Sequence, residues 1–185
     1  MFEIFKEVGI FIYPLALCSV AGVFIIVERL FALRKVKITP EKLLRQIVQN
    51  ERVDGEQSSA LGRIVAYWHK HEKDQSAVKA YARLEVNRME RGFVFLEIIV
   101  GAAPLFGLLG TVTGLVQVFG NASTETGLPD PSVFTQGIAL ALGTTVMGLA
   151  VAIPCLIASG YLQRRVETYA VQLESLLEQM GLKDI

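Results

Sequence analysis

Three stretches of the chain stay apolar for longer than one face of a soluble helix, and charge returns between them. Gly9 to Val27, GIFIYPLALCSVAGVFIIV, is nineteen residues without a charge. At about 1.5 Å per residue it matches a hydrocarbon core about 30 Å thick. Glu3, Lys6 and Glu7 precede it and Glu28-Arg29 follow. Those flanks lack the basic start and small-residue cleavage site of a signal peptide, so the segment reads as a retained spanning helix. Phe93 to Phe119 carries one acid, Glu97, and Val133 to Leu162 carries no charge at all. Between these two runs lies NASTETGLPDPS, rich in turn formers, with Asp130 as N-cap and Pro131 as the first helical residue. The last two spans therefore form a tight hairpin with an outer loop at 120–132.

The segments outside the spans also carry helical periodicity. Thr39-Pro40-Glu41 opens a helix whose Leu43, Leu44, Ile47 and Val48 share one face, and it breaks near Asp54-Gly55. Leu61, Ile64, Val65 and Trp68 mark a second helix. A third, from about Gln75, places Val78, Tyr81, Ala82, Val86 and Met89 on its apolar side. Gly92 is the sole breaker before the second span, so this helix is predicted to run unbroken into the membrane. Val166, Tyr169, Leu173, Leu176, Leu177 and Met180 continue a stripe past the third span. Span and tail then make one helix of about 45 residues, roughly 70 Å long.

The expected fold is all-α: an integral membrane protein with three transmembrane helices, two of them extending into the cytoplasm. Its segments are 1–31 with the first span, a helical loop at 32–92, the hairpin at 93–162 and a C-terminal helix at 163–185. The extended stripes need cover, from an intramolecular bundle or from a homo-oligomeric ring of identical subunits, and periodicity does not choose between them.

Composition agrees with this layout. Of 185 residues 52% are hydrophobic and only 19% charged, and 18 Lys plus Arg balance 18 Asp plus Glu; mean hydropathy is +0.44. A basic nucleic-acid binder and an acidic disordered chain are excluded. Residues 29–91 hold 14 of the 18 Lys and Arg, and the outer loop holds none. By the positive-inside rule the large loop and the C-terminus are cytoplasmic and the N-terminus lies outside. Cys18 and Cys155 sit in apolar runs and read as buried small hydrophobes. His69-Lys70-His71 is a metal-type spacing with no cysteine nearby, so no metal site is expected. No nucleophile–base pair or phosphate loop appears, and no enzyme or cofactor is expected.

Candidate chemistry is confined to the last two spans. Gly107, Gly110 and Gly114 recur in one, and Gly137, Ala141, Thr145, Gly148 and Ala152 in the other, at the three- and four-residue spacing that lets membrane helices approach closely. Thr111 and Thr145 fall about 12 and 18 Å below the outer ends of their helices, at similar depth. Their hydroxyls either bond back to the carbonyl one turn earlier or form one polar belt; the residues leave both open. Within the bilayer there is no Asp, Lys, Arg or His, and the one carboxylate, Glu97, is near the cytoplasmic end. If the chain conducts protons, the carrier belongs to a partner.

APLFGLLGTVTGLVQVF at 103–119 followed by GIALALGTTVMGLAVAIP at 137–154, with IVERLFALRK at 26–35, resembles the MotA/TolQ/ExbB proton channel family, most closely its ExbB/TolQ branch. The resemblance runs in order through nearly the whole chain and is carried by layout alone over 36–92. It implies a subunit of a bacterial inner-membrane complex, a homo-pentamer around a dimer of a single-span ExbD/TolR-like partner whose aspartate carries the proton. A TonB- or TolA-like protein would take the work to the outer membrane. By position, Thr111 in GTVTG and Thr144 and Thr145 in GTT would line the proton pathway. Many members have glutamate in Gly-Ile-x-Glu-Ala-Leu where this chain has Leu140, so that role is not transferred. A flagellar-type stator usually has four spans and a larger cytoplasmic domain. A non-conducting membrane scaffold would use the glycines for packing alone.

Overall fold

The structure, a computed structural model, describes residues 11–40, 43, 59–71, 74–121 and 131–179. Most of the helix expected after Thr39, the Asp54-Gly55 break, Asp130, nearly all of the outer loop and Met180 lie outside them. Among the described residues the regular elements are all helices: α1 Ile12–Ala32, α2 Lys35–Ile38, α3 Ala60–Lys70, α4 Gln75–Met89, α5 Phe93–Asn121 and α6 Pro131–Gln179. Three stretches, Ile12–Ala32, Gln75–Gly120 and Phe134–Glu178, contain windows long and apolar enough to cross a membrane. Contacts divide the chain into two compact units, Met1–Ile26 with Val94–Ser159 and Val27–Phe93 with Gly160–Ile185.

In the first unit the N-terminal part of α1 packs with α5 and the first half of α6. Leu15, Ala103 and Ala152 are buried together, with Phe106 and Val151 against them. Gly22 admits Cys155, whose Sγ would stand 2.7 Å from a Cβ at that position. The opposite faces are as apolar as the buried ones: Leu17 is 71% exposed and Phe24 68% exposed. Only lipid or further apolar protein can cover such a surface.

The second unit has a conventional core in which Leu61, Ile64, Val65, Val78, Leu162, Val166 and Leu173 are buried. Its helices α3 and α4 are capped. Ser59 Oγ accepts the Gly62 N–H at 3.0 Å to open α3, and Asp74 Oδ1 accepts the Ala77 N–H at 3.0 Å to open α4. Tyr169 ties α6 to the end of α1 by donating its hydroxyl to the Leu33 carbonyl at 3.2 Å.

One expectation is corrected. The helix from Gln75 does not run unbroken into the second span: α4 ends at Met89 and α5 begins at Phe93. Gly92 adopts φ 93°, and the Phe93 N–H bonds the Glu90 carbonyl at 3.1 Å. A left-handed residue cannot continue the helix, and glycine adopts that conformation at little cost. By contrast α6 is continuous over 49 residues, Pro154 included.

Candidate functional site

Glycines build the contact that creates the site. A Cβ on Gly107 would lie 2.8 Å from the Thr144 carbonyl oxygen and 3.0 Å from Thr145 Cα; one on Gly148 would lie 2.6 Å from the Ala103 carbonyl oxygen. Only hydrogen at these positions lets the α5 and α6 backbones come so close. Gly110 makes room for the Thr144 side chain, Gly114 faces Ala141, and Gly137 packs against Val118.

At that separation short hydroxyl side chains reach the neighbouring helix. Thr111 Oγ1 is 2.9 Å from the Ala141 carbonyl oxygen, and Thr144 Oγ1 is 2.8 Å from that of Gly107. Thr111 Oγ1 stands 2.6 Å from Thr145 Oγ1 and 3.2 Å from Thr144 Oγ1. Bonds back to the same helix coexist with these, from Thr111 to Gly107 at 3.2 Å and from Thr144 to Ala141 at 2.7 Å. Among the described residues Thr113 bonds to its own helix alone, at Leu109 and Gly110. The three hydroxyls of Thr111, Thr144 and Thr145 therefore form one cluster, and Thr113 is not in it.

The cluster has an inside and an outside. Thr144 is 1% and Thr111 8% exposed, while Thr145 is half-buried. Each hydroxyl has one proton to donate and two lone pairs. If Thr145 donates to Thr111, and Thr111 to the Ala141 carbonyl, Thr145 is left as an acceptor. If Thr111 donates to Thr145, the Thr145 proton goes either to the Gly107 carbonyl at 3.3 Å or outward. The same heavy-atom positions thus serve a donor or an acceptor beyond Thr145.

The second unit holds a charge cluster that sequence periodicity had not singled out. Arg63 donates to Glu85 twice, Nε to Oε1 at 3.1 Å and Nη2 to Oε2 at 2.6 Å, and Arg88 Nη1 donates to Oε1 at 2.7 Å. Burial pushes the Glu85 carboxyl up, but hydrogen bonds and charge from Arg63, charge from Arg88 and the Tyr81 hydroxyl outweigh it and hold the group below the ordinary carboxylate range. Glu85 lies on the buried side of α4 with Val78, Ala82 and Met89; an acid on an apolar stripe was the available signal. His69 and His71 each place Nδ1 on a backbone carbonyl, of Val65 at 2.9 Å and Tyr67 at 3.1 Å. Since carbonyls only accept, those nitrogens carry protons and are not free as ligands.

Apolar spans with a hydroxyl cluster between the last two define a class: a multi-pass α-helical membrane protein whose polar site lies inside a helix pair. Residues 39–175 match the MotA/TolQ/ExbB proton channel family, and the chain belongs to that family, on its ExbB/TolQ side. It is 27% identical to the biopolymer transport protein exbB1 of Vibrio cholerae, over 96% of this chain and 85% of that one. It is 32% identical to the putative biopolymer transport protein ExbB-like 1 of Synechocystis, over 80% of this chain and 65% of that one. With the putative ExbB homolog of Methanothermobacter thermautotrophicus identity is 25%, over 93% and 66%. The chain thus spans about two thirds of the length of the last two relatives. The family is one of channels, not of enzymes.

Proposed function

We propose that this chain is the channel and stator subunit of an ExbB-like inner-membrane motor that couples proton flow to work at the outer membrane. The observation that carries the reading is the Thr111–Thr145 hydroxyl pair in a membrane layer with no Asp, Lys, Arg or His of its own. A hydroxyl that can turn its proton either way accepts both protonation states of a partner carboxylate without trapping it, as a lysine would. In this reading Thr145 meets the aspartate of a single-span ExbD/TolR-like partner. Thr111 relays the hydrogen-bond direction, and Thr144 braces the pair.

Protonation lowers the cost of turning that aspartate toward an apolar wall, so each proton step biases a rotation. The membrane potential supplies about 2.3 kcal/mol per charge per 100 mV. Apolar flanks such as those of Leu105, Leu108 and Val112, all exposed in a single chain, suit neighbouring subunits or lipid around a homo-pentamer. The concentration of Lys and Arg in 29–91 supports a periplasmic N-terminus and a cytoplasmic C-terminus. A TonB- or TolA-like protein completes the transmission.

Co-purification with a single-span protein encoded next to it, followed by the mass of the intact complex in detergent, tests this. Five copies of this chain with two of the partner are expected. A lone oligomer with no partner leaves no proton carrier and points to a packing scaffold.

A further inference from the structure

We propose that the basic cavity walled by Arg29, Lys37, Arg63 and Arg88 holds the phosphate of an anionic lipid headgroup. The cavity lies within the second unit, has a volume of about 210 Å³, and takes its apolar lining from residues such as Ala32, Leu33 and Met89. Its four cations share the cavity wall with one carboxylate, Glu85, and Arg29 also meets Glu28 outside it. Glu85 is fully engaged by Arg63 and Arg88, and Glu28, on the exposed side, takes one Nη of Arg29 at 2.8 Å. Among the described residues two positive charges remain in excess. Arg29 Nε is buried and has no hydrogen-bond partner among the described residues. A guanidinium edge lining such a cavity suits phosphate oxygens.

Position selects a lipid as the source of that phosphate. Arg29 stands two residues past Val27, where the uncharged run of α1 ends, so it sits about 3 Å beyond the apolar segment. Basic pockets at that level meet lipid headgroups. Beside it on α1, Val27, Leu30 and Phe31 are exposed apolar side chains, a track along which acyl chains can run. The inference goes beyond the proton reading and stands whether or not the threonines carry protons.

The test uses the full-length protein in nanodiscs of phosphatidylcholine and phosphatidylglycerol, transferred to mild detergent and weighed with its bound lipid. The wild type is expected to retain phosphatidylglycerol in preference to phosphatidylcholine. Arg29→Gln with Lys37→Gln is expected to weaken that retention about thirtyfold, near fivefold per cation removed. Equal retention of the two lipids by the wild type, which needs no variant to fold, overturns the proposal. So does an unchanged preference in the folded double variant. Displacement of the lipid by millimolar inorganic phosphate also overturns it, by assigning the cavity to a free anion.

Discussion

The hydroxyl oxygens of Thr111 and Thr145 stand 2.6 Å apart across the α5–α6 contact, and only one of them can donate to the other at a time. That exclusivity gives the pair two hydrogen arrangements on one set of heavy atoms. Thr111 is buried and Thr145 half-buried, so a change of direction inside the pair leaves the Thr145 proton to choose between the Gly107 carbonyl at 3.3 Å and the outside.

Thr145→Val keeps the branched shape and removes the hydroxyl, whereas Thr145→Ser keeps the hydroxyl. In proteoliposomes holding this chain and its partner, with a pH-sensitive dye inside, Thr145→Val should reduce proton flux at least tenfold, the worth of about one buried hydrogen bond. Thr145→Ser should stay near wild type. Wild-type flux in the valine variant would remove the hydroxyl from the pathway.

Gly110→Ala should destabilise the helix pair. Its new methyl would sit 2.8 Å from Thr144 Oγ1 and 2.9 Å from Thr144 Cβ, whereas a Cβ at Gly101 meets nothing within 4 Å. Overpacking of this kind costs about 1–3 kcal/mol. The thermal midpoint in detergent should fall for Gly110→Ala and hold or rise for Gly101→Ala; equal midpoints would mean that the two helices separate readily at this point.

Glu85 makes stability depend on pH in a definite direction. Its carboxyl is held below the ordinary value of 4.5 in the folded chain, so the folded state binds that proton more weakly than the unfolded one. The stabilisation is complete above the unfolded value, about pH 4.5, and is lost as pH falls through the lower folded value. Glu85→Gln should cost about 2 kcal/mol at neutral pH, less than for a fully buried pair because the arginines reach water. The gap between the two melting curves should close as pH falls; a gap independent of pH would show that packing, not charge, holds the site.

The spans, their order and the long C-terminal helix were legible because a membrane crossing writes its length directly into an uncharged run. Val133 to Leu162 needs no tertiary context to be read as a crossing. The glycine spacing marked close approach, but not that Gly107 would meet the Thr144 carbonyl. The division of labour among threonines was legible only in part. Thr113 has the same chemistry as Thr111 and lies two residues on, on the far side of the contact, a difference fixed by helix rotation. The Arg63–Glu85 pair spans 22 positions, and no local pattern encodes a partner at that separation.

Gly92 is where a reading by periodicity alone failed, and it yields the sharpest backbone test. Hydrophobic spacing continues from Val78 through Met89 to Leu96, so side-chain pattern favours one helix, and only the backbone at φ 93° opposes it. An L-residue in the left-handed region costs about 1–2 kcal/mol, less for asparagine and more for a β-branched side chain. If the break is an intrinsic part of the fold, thermal midpoints should fall in the order Gly92→Asn, Gly92→Ala, Gly92→Val. If α4 and α5 can instead join as one helix, Gly92→Ala gains helix propensity and should match or exceed the wild type. The alanine variant alone separates a required turn from a helix that glycine merely interrupts.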